Sequence, residues 1–264
     1  MSDEYRPKQN QLLAAMPPVE YLRLLPHLEL VPMRPGAVLY EPGTRVHHAY
    51  FPIDCIVSLR YICKSGSEDE IAMVGREGMV GVSLFLGGEG TLKRAIVRSA
   101  GWAYRLPANL LKESFNQNVQ VQHLLLRYAQ VLLTQMGQIA VCNRHHTLEH
   151  QLCRWLLMSF DRLPSNVLVI THELIANMLG VRREGVTEAA GRLQAQGLIE
   201  CYRGHIKMIN RSGLEKKSCE CYVVVKKEFD RLLPMVHGAG HTAWDSQPLR
   251  QHGSGGLLAR PCPV

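Results

Sequence analysis

The stretch ITHELIANMLGVRREGVTEAAGRLQAQGLIE, residues 170–200, decides how this 264-residue chain is read. Thr171 directly precedes an apolar-periodic run, where a helix N-cap belongs, and Glu173 places an acid in the first turn. Leu174/Met178 and Ile175/Leu179 repeat at four residues and predict one buried face. Gly180 supplies the left-handed conformation of a tight stop. A second helix begins at once, with Val186, Ala189, Ala190 and Leu193 as its inward stripe. At about 100° per residue, Glu184, Thr187 and Glu188 fall on the opposite face, and Arg183 flanks it from the first turn. Small inward alanines let two helices cross closely.

Gln196-Gly197 closes the second helix, and Leu198–Tyr202 and His205–Ile209 read as short strands joined by Arg203-Gly204. A helix-turn-helix followed by a basic-tipped hairpin is a winged helix. Its second helix fits the major groove and its wing tip meets phosphates. An αα-hairpin of purely structural duty has no need of the polar outward face or the basic termini.

Upstream, a helix over about Leu148 to Leu163 has Leu152, Trp155/Leu156 and Ser159/Phe160 on one face, and VLVI (167–170) follows as a strand. Before it, Val121, Leu125, Tyr128, Leu132, Gln135, Ile139 and Cys142 alternate steps of four and three, and only Arg127 is charged between residues 116 and 143. A helix this apolar is buried on more than one side. It is either a core helix of its own domain or a two-fold dimer helix that also touches the β domain, and the heptad spacing favours the dimer. Residues 28–106 read as β: LELVPM, AVLY, CIVSLRYI, EIAMV, RAIVR and AYRLP are separated by glycine and proline turns, the pattern of a sandwich or barrel. A short helical lead-in, Asn10 to Leu25, is interrupted by Pro17-Pro18. The residues after Pro234 are rich in Gly, His, Pro and Ser without periodicity, as in a disordered tail.

Composition narrows the class. The formal net charge is +7; residues 144–217 alone carry 11 basic against 7 acidic side chains, which suits an anionic partner such as nucleic acid. No run approaches the roughly 18 apolar residues of a membrane span, and the first twenty residues lack a signal-type apolar region, so a cytoplasmic protein with no membrane partner is expected. The eight cysteines are scattered. No pair has CxxC spacing, and Cys219 and Cys221 stand too close for the usual structural zinc pattern. His146, His150 and Cys153 share a helical face, but surface histidines beside a packed cysteine are far commoner than a metal site, so no metal is expected there. His47 and His48 are adjacent and point to opposite faces of a strand, which weakens the rival reading of a cupin-like β-roll metalloenzyme with an accessory nucleic-acid-binding domain.

The 170–200 stretch resembles the DNA-binding domain of the Crp/Fnr (catabolite activator-like) regulators. Thr171, Ala176, Gly180, Arg183, Glu184, Val186, Leu193, Gly197, Leu198 and Ile199 align with that family's pattern without gaps. The resemblance implies an α+β fold. Its parts are a cyclic-nucleotide-binding-like sensor β-roll over 1–115, a dimerisation helix over 116–143 and a winged helix-turn-helix over 144–217, with the tail occupying 234–264. It further implies a non-enzymatic, sequence-specific transcription regulator that acts as a homodimer on double-stranded operator DNA, with RNA polymerase as a partner. Carried over, Arg183 and Glu184 are the base-reading pair, because Arg suits guanine O6/N7 and Glu accepts from cytosine N4. Thr171, Arg182, Thr187, Glu188 and Arg203 complete the DNA-binding set. Two departures stand out: Glu188 replaces a usual arginine reader, and Arg182 replaces a capping hydroxyl, so that a phosphate contact takes the place of the cap.

In nucleotide-responsive members a Gly-Glu holds the ribose, and an Arg about ten residues later holds the cyclic phosphate. Here GMVGVSLFLGGEGTLKRAIV (78–97) offers Gly81, but Val82 stands at the glutamate position and Lys93 or Arg94 near the arginine. A valine accepts no hydrogen bond. Loss of ordinary cyclic AMP binding is therefore expected, and the residues do not specify any other small-molecule effector or cofactor. Oxygen-sensing relatives hold an iron–sulfur centre on N-terminal cysteines; this chain has none before Cys55.

Overall fold

The structure is a computed structural model that describes residues 5–64, 66–88 and 90–233. The tail expected over 234–264 lies outside them. The lead-in forms two short helices, α1 (Gln11–Ala14) and α2 (Pro18–Leu24), parted by the prolines. Asn10 caps α1, its Oδ1 accepting from the Leu12 and Leu13 amides at 3.1 Å each. Its Nδ2 donates to the carbonyls of Pro52 and Gly78, so one buried side chain anchors the N-terminus to the β domain.

That domain has seven strands: β1 (Glu29–Met33), β2 (Val38–Tyr40), β3 (His48–Pro52), β4 (Ile56–Ile62), β5 (Glu68–Val74), β6 (Arg94–Ser99) and β7 (Gly101–Pro107). They pair antiparallel in two sheets, β1-β7-β3 and β2-β6-β4-β5. Phe51, Leu59, Val74, Val97 and Leu106 fill the space between them. Six of the strands lie where the apolar runs predicted them. β3 was not among those runs, because HAYFP is short and ends in proline; its pairing with β7 makes it a strand.

The helical region divides at a point the sequence reading passed over. A helix α3 (Ala108–Gln117) ends at Asn118, and a 27-residue helix α4 (Val119–His145) starts there. Asn118 Oδ1 accepts from the Gln120 and Val121 amides. This side-chain cap moves the helix start from the expected residue 116 to Val119.

The heptad seam is placed differently from the dimer reading. Val121, Leu125, Tyr128, Leu132, Gln135, Ile139 and Cys142 are all buried within the single chain. Tyr128 donates its hydroxyl proton to the Met79 carbonyl at 2.8 Å. Gln135 accepts from the Met73 amide and donates to the Met73 carbonyl, both at 3.1 Å, as a neighbouring strand would. A side chain on Gly78 would collide with the Tyr128 ring, so glycine there admits the tyrosine. The seam is thus already packed within its own chain, against the β domain. The exposed apolar stripe of α4 is a different one: Leu126, Leu133 and Val141, with Gly137 and Ala140 between them.

The C-terminal part contains α5 (Leu148–Phe160), β8 (Val167–Val169), α6 (His172–Leu179), α7 (Arg183–Ala195), β9 (Ile199–Tyr202), β10 (His205–Met208), α8 (Arg211–Lys217) and α9 (Glu220–Leu232). The small sheet has the order β8-β10-β9. Its core gathers Trp155, Leu156, Ile175, Val186 and Leu193, and it also takes in Ile56 and Met73 from the β domain. Helix α9 returns to pack along α4. The apolar positions Cys221, Tyr222, Val225 and Phe229 announced such a helix at helical spacing, although the sequence reading left the segment unassigned. Among the described residues no helix is long and apolar enough to cross a membrane.

Candidate nucleic-acid interface

The two helices of the 170–200 stretch form as their caps require. Thr171 Oγ1 accepts from the Leu174 amide at 3.3 Å, and Gly180 ends α6 in the left-handed region at φ 64°. Ile175, Ala176, Met178 and Leu179 are buried, whereas Leu174, expected on the same face, is 46% exposed. The inward stripe of α7 is buried at all four positions, Val186, Ala189, Ala190 and Leu193. A helix held so firmly on one side presents the other in a fixed orientation. Arg182, Arg183, Glu184, Thr187 and Glu188 are all exposed on it.

Their partners differ. Arg182 occupies the N-cap of α7 without bonding the helix amides, which leaves these orphan donors at the positive end of the helix dipole. Arg183 lies 4.0 Å from Glu173, a loose ion pair between two solvent-exposed side chains. Thr187 Oγ1 donates to the Arg183 carbonyl and meets His172 Nδ1, each at 3.1 Å. Burial, and then the charge of Arg183, push the His172 imidazole below its usual pKa. Glu188 is tied to Arg192 at 2.6 Å, and Arg192 also reaches Glu149 of α5 at 2.6 Å. Arg192 was not among the expected site residues. Its i, i+4 spacing from Glu188 was the available signal, but the bond to Glu149 joins residues 43 positions apart and could not be read.

At the wing, Arg203 and Gly204 have φ values of 42° and 78°, the left-handed pair that a two-residue hairpin turn needs. Among the described residues Arg203 is the one non-glycine with positive φ. The flanking Tyr202 and His205 rings stack at 5.2 Å and hold the tip.

The expected effector residues are each engaged by a different part of the β domain or α4. Gly81 turns the chain at φ 112° into a short 3-10 turn at Val82–Leu84, and Val82 packs against the main core. Arg94 is bound to Glu41 at 2.8 Å and paired with Glu68. Lys93 Nζ lies 3.8 Å from Met136 Sδ on α4, and burial pushes its pKa down. A groove of about 480 Å³ is lined instead by residues including Tyr40, Arg45, His47, His48 and Tyr50.

The trio His146, His150 and Cys153 is not brought together as a ligand set. Cys153 is buried in the winged-helix core, and His150 meets His146 only ring edge to ring face, at 6.1 Å. The groups that surround His146 are Cys142, Cys219 and Cys221. Cysteine spacing alone argued against such a cluster, because the partners of the Cys219-x-Cys221 pair come from the distant end of α4.

Residues 150–217 match the Crp-like helix-turn-helix domain family. Over 199 residues the chain is 19% identical to the global nitrogen regulator of Synechococcus elongatus, covering 72% of this chain and 90% of that protein. Among solved structures it is similar to a transcriptional regulator of the Crp/Fnr family from Eubacterium rectale, with a TM-score of 0.61 and 17% identity over 79% of this chain and 98% of the other. It is also similar to FixK2 from Bradyrhizobium japonicum, with a TM-score of 0.64 and 17% identity over 73% and 98%.

Proposed function

Because residues 150–217 match the Crp-like helix-turn-helix domain family and the fold is that of a Crp/Fnr-family regulator of known structure, we propose that the chain is a sequence-specific operator-binding dimer of the Crp/Fnr type whose sensor domain does not take cyclic AMP in the ordinary way. Similarity to transcription regulators along most of the chain, and not over residues 150–217 alone, weighs against the metalloenzyme reading. One observation carries the proposal: α7 buries one whole face and leaves Arg183, Glu184, Thr187 and Glu188 exposed along the other. Such a helix enters the major groove with its N-terminal residues at base edges. Arg183 reads guanine and Glu184 cytosine. Thr171, Arg182 and Arg203 hold the backbone phosphates, aided by the uncapped amides of α7. Thr187 and Glu188 stand further along the groove, and Arg192 restrains Glu188.

The two copies meet through the exposed stripe Leu126, Leu133, Gly137, Ala140 and Val141, where small residues permit close approach of two helices. RNA polymerase is the expected partner at the promoter. In the sensor, Val82 lacks an acceptor for ribose hydroxyls, and Arg94 is already engaged by two carboxylates.

Selection of bound DNA from a random pool, at fixed salt, tests the reading. Wild-type protein enriches a two-fold symmetric site, equally with and without cyclic AMP. Arg183→Ala loses about 1–3 kcal/mol on that site and flattens the preference at one base pair per half-site. Affinity lost without loss of preference overturns the role given to Arg183, and enrichment that depends on cyclic AMP overturns the sensor reading.

A further inference from the structure

Where α4 ends and α9 begins, three buried cysteines and a histidine converge. Cys142 and His146 stand one helical turn apart at the end of α4; Cys219 is the N-cap residue of α9 and Cys221 lies in its first turn. Cys142 Sγ is 3.5 Å from Cys219 Sγ, and Cys221 Sγ is 3.6 Å from His146 Nδ1. All four ligand atoms lie within 4.8 Å of one another. In a tetrahedral zinc site, bonds of about 2.3 Å to sulfur and 2.0 Å to nitrogen set neighbouring ligand atoms roughly 3.5–3.8 Å apart. The two close pairs already have that separation.

Three details of the surroundings fit a metal better than a packed thiol cluster. First, His146 turns Nδ1 toward the sulfurs and Nε2 toward Glu220, 3.2 Å away. A metal-binding histidine commonly directs its outer N–H to a carboxylate in this way. Second, Cys219 is the N-cap residue of α9 yet makes no side-chain bond to the helix amides, and its sulfur lies against Cys142 instead. Third, Arg154 is only 2% exposed, its Nε has no partner, and its charge bears on Cys142. A divalent ion on three thiolates and one neutral imidazole carries a net charge of about −1, which this buried cation balances. Plain cysteine packing explains the burial of the sulfurs but neither the direction of His146 nor the unpaired Arg154.

We propose that Cys142, His146, Cys219 and Cys221 bind one zinc-class divalent ion. The set is soft and complete, with no open position for a substrate, so the ion is structural. It joins the last turn of α4 to the first turn of α9. These flank the winged helix-turn-helix on either side in the chain, so the ion clamps the DNA-binding domain at both its entry and its exit. Loading deprotonates the thiols and releases their protons.

Elemental analysis of the full chain purified under reducing conditions tests the site, followed by chelation and titration with Co²⁺. The expected result is one zinc per chain. Cobalt should then give a one-to-one end point with thiolate charge-transfer bands and a tetrahedral visible spectrum. Cys219→Ser and His146→Ala should lower the zinc content from one per chain to near zero, whereas Cys55→Ser and Cys153→Ser should retain it. A chelated wild-type chain that stays folded by circular dichroism yet takes up neither zinc nor cobalt overturns the proposal. So does a Cys142–Cys219 disulfide in freshly prepared protein, which would make the pair a redox couple. The cobalt titration uses only the wild-type chain, so a variant that fails to fold leaves the decisive measurement intact.

Discussion

The outer face of α7 and the joint between the β domain and the winged helix are both rich in charge, yet they differ in almost every physical respect. On α7 the charged groups are exposed; Arg183 has a loose partner and Glu188 a local one, and Arg192 also reaches Glu149 of α5. At the joint, Glu70 of β5 and Arg98 of β6 have side chains only 2% and 3% exposed and lie 3.7 Å apart. Glu70 accepts from Trp155 Nε1 at 3.0 Å and from the Ser58 hydroxyl. Arg98 donates to Ser159 Oγ at 2.8 Å and lies over the Trp155 ring at 4.1 Å. Burial brings the Arg98 guanidinium down to about 10. A buried pair contributes little compared with an apolar replacement, but removing one partner strands the other without water. The contrast assigns different duties to charge: the exposed set is free to meet a ligand, while the buried set holds the winged helix in one orientation on the β domain.

The largest effect is therefore expected at the joint. Glu70→Ala leaves Arg98 buried without its counter-charge and should lower unfolding stability by about 3–5 kcal/mol. A denaturant midpoint close to that of wild type would show that the joint is loosely held and would remove the contrast. An intermediate effect belongs to α4, where the buried seam and the exposed stripe can be set against each other. Leu126→Asp with Leu133→Asp should give folded monomers by sedimentation and abolish operator binding, whereas Leu125→Asp places a charge in the core and should unfold the chain. Double-stripe variants that stay dimeric would reassign the interface. The smallest effect is expected at the wing. Arg203→Ala should leave stability unchanged, weaken all DNA sequences alike, and lower the slope of log affinity against log salt by about one per site. A changed base preference in that variant would make the wing a reader of sequence.

Helix α4 shows how far periodicity carries. A spacing of four and three identifies a buried stripe but not what buries it. The same seven positions suit a second copy or the chain's own β domain, and only the bonds from Tyr128 and Gln135 to the residues around β5 decide between them. For the winged helix the ambiguity did not arise. Its caps, glycine stop and inward alanines act over one or two turns, so neighbouring residues contain the whole instruction. Leu174 is the exception within it, since helical spacing alone could not tell the rim of the buried face from its centre.

What the amino-acid sequence determined by itself is thus the local part: the two helices and wing, six of the seven described β-domain strands, the Crp-like character of the helix-turn-helix, and the exposure of Arg183, Glu184 and Arg203. Tertiary structure alone decided which face of α4 is free, that Glu70 and Arg98 meet Trp155 and Ser159 across 85 and 61 residues, and that Cys142 and Cys219 come together across 77. The physical reason is the range of each interaction. Backbone caps and side-chain periods act between residues a few positions apart, so they leave a trace in the order of the letters. A buried ion pair or a thiol cluster depends on where two distant elements are packed, and that is settled only when the whole core closes.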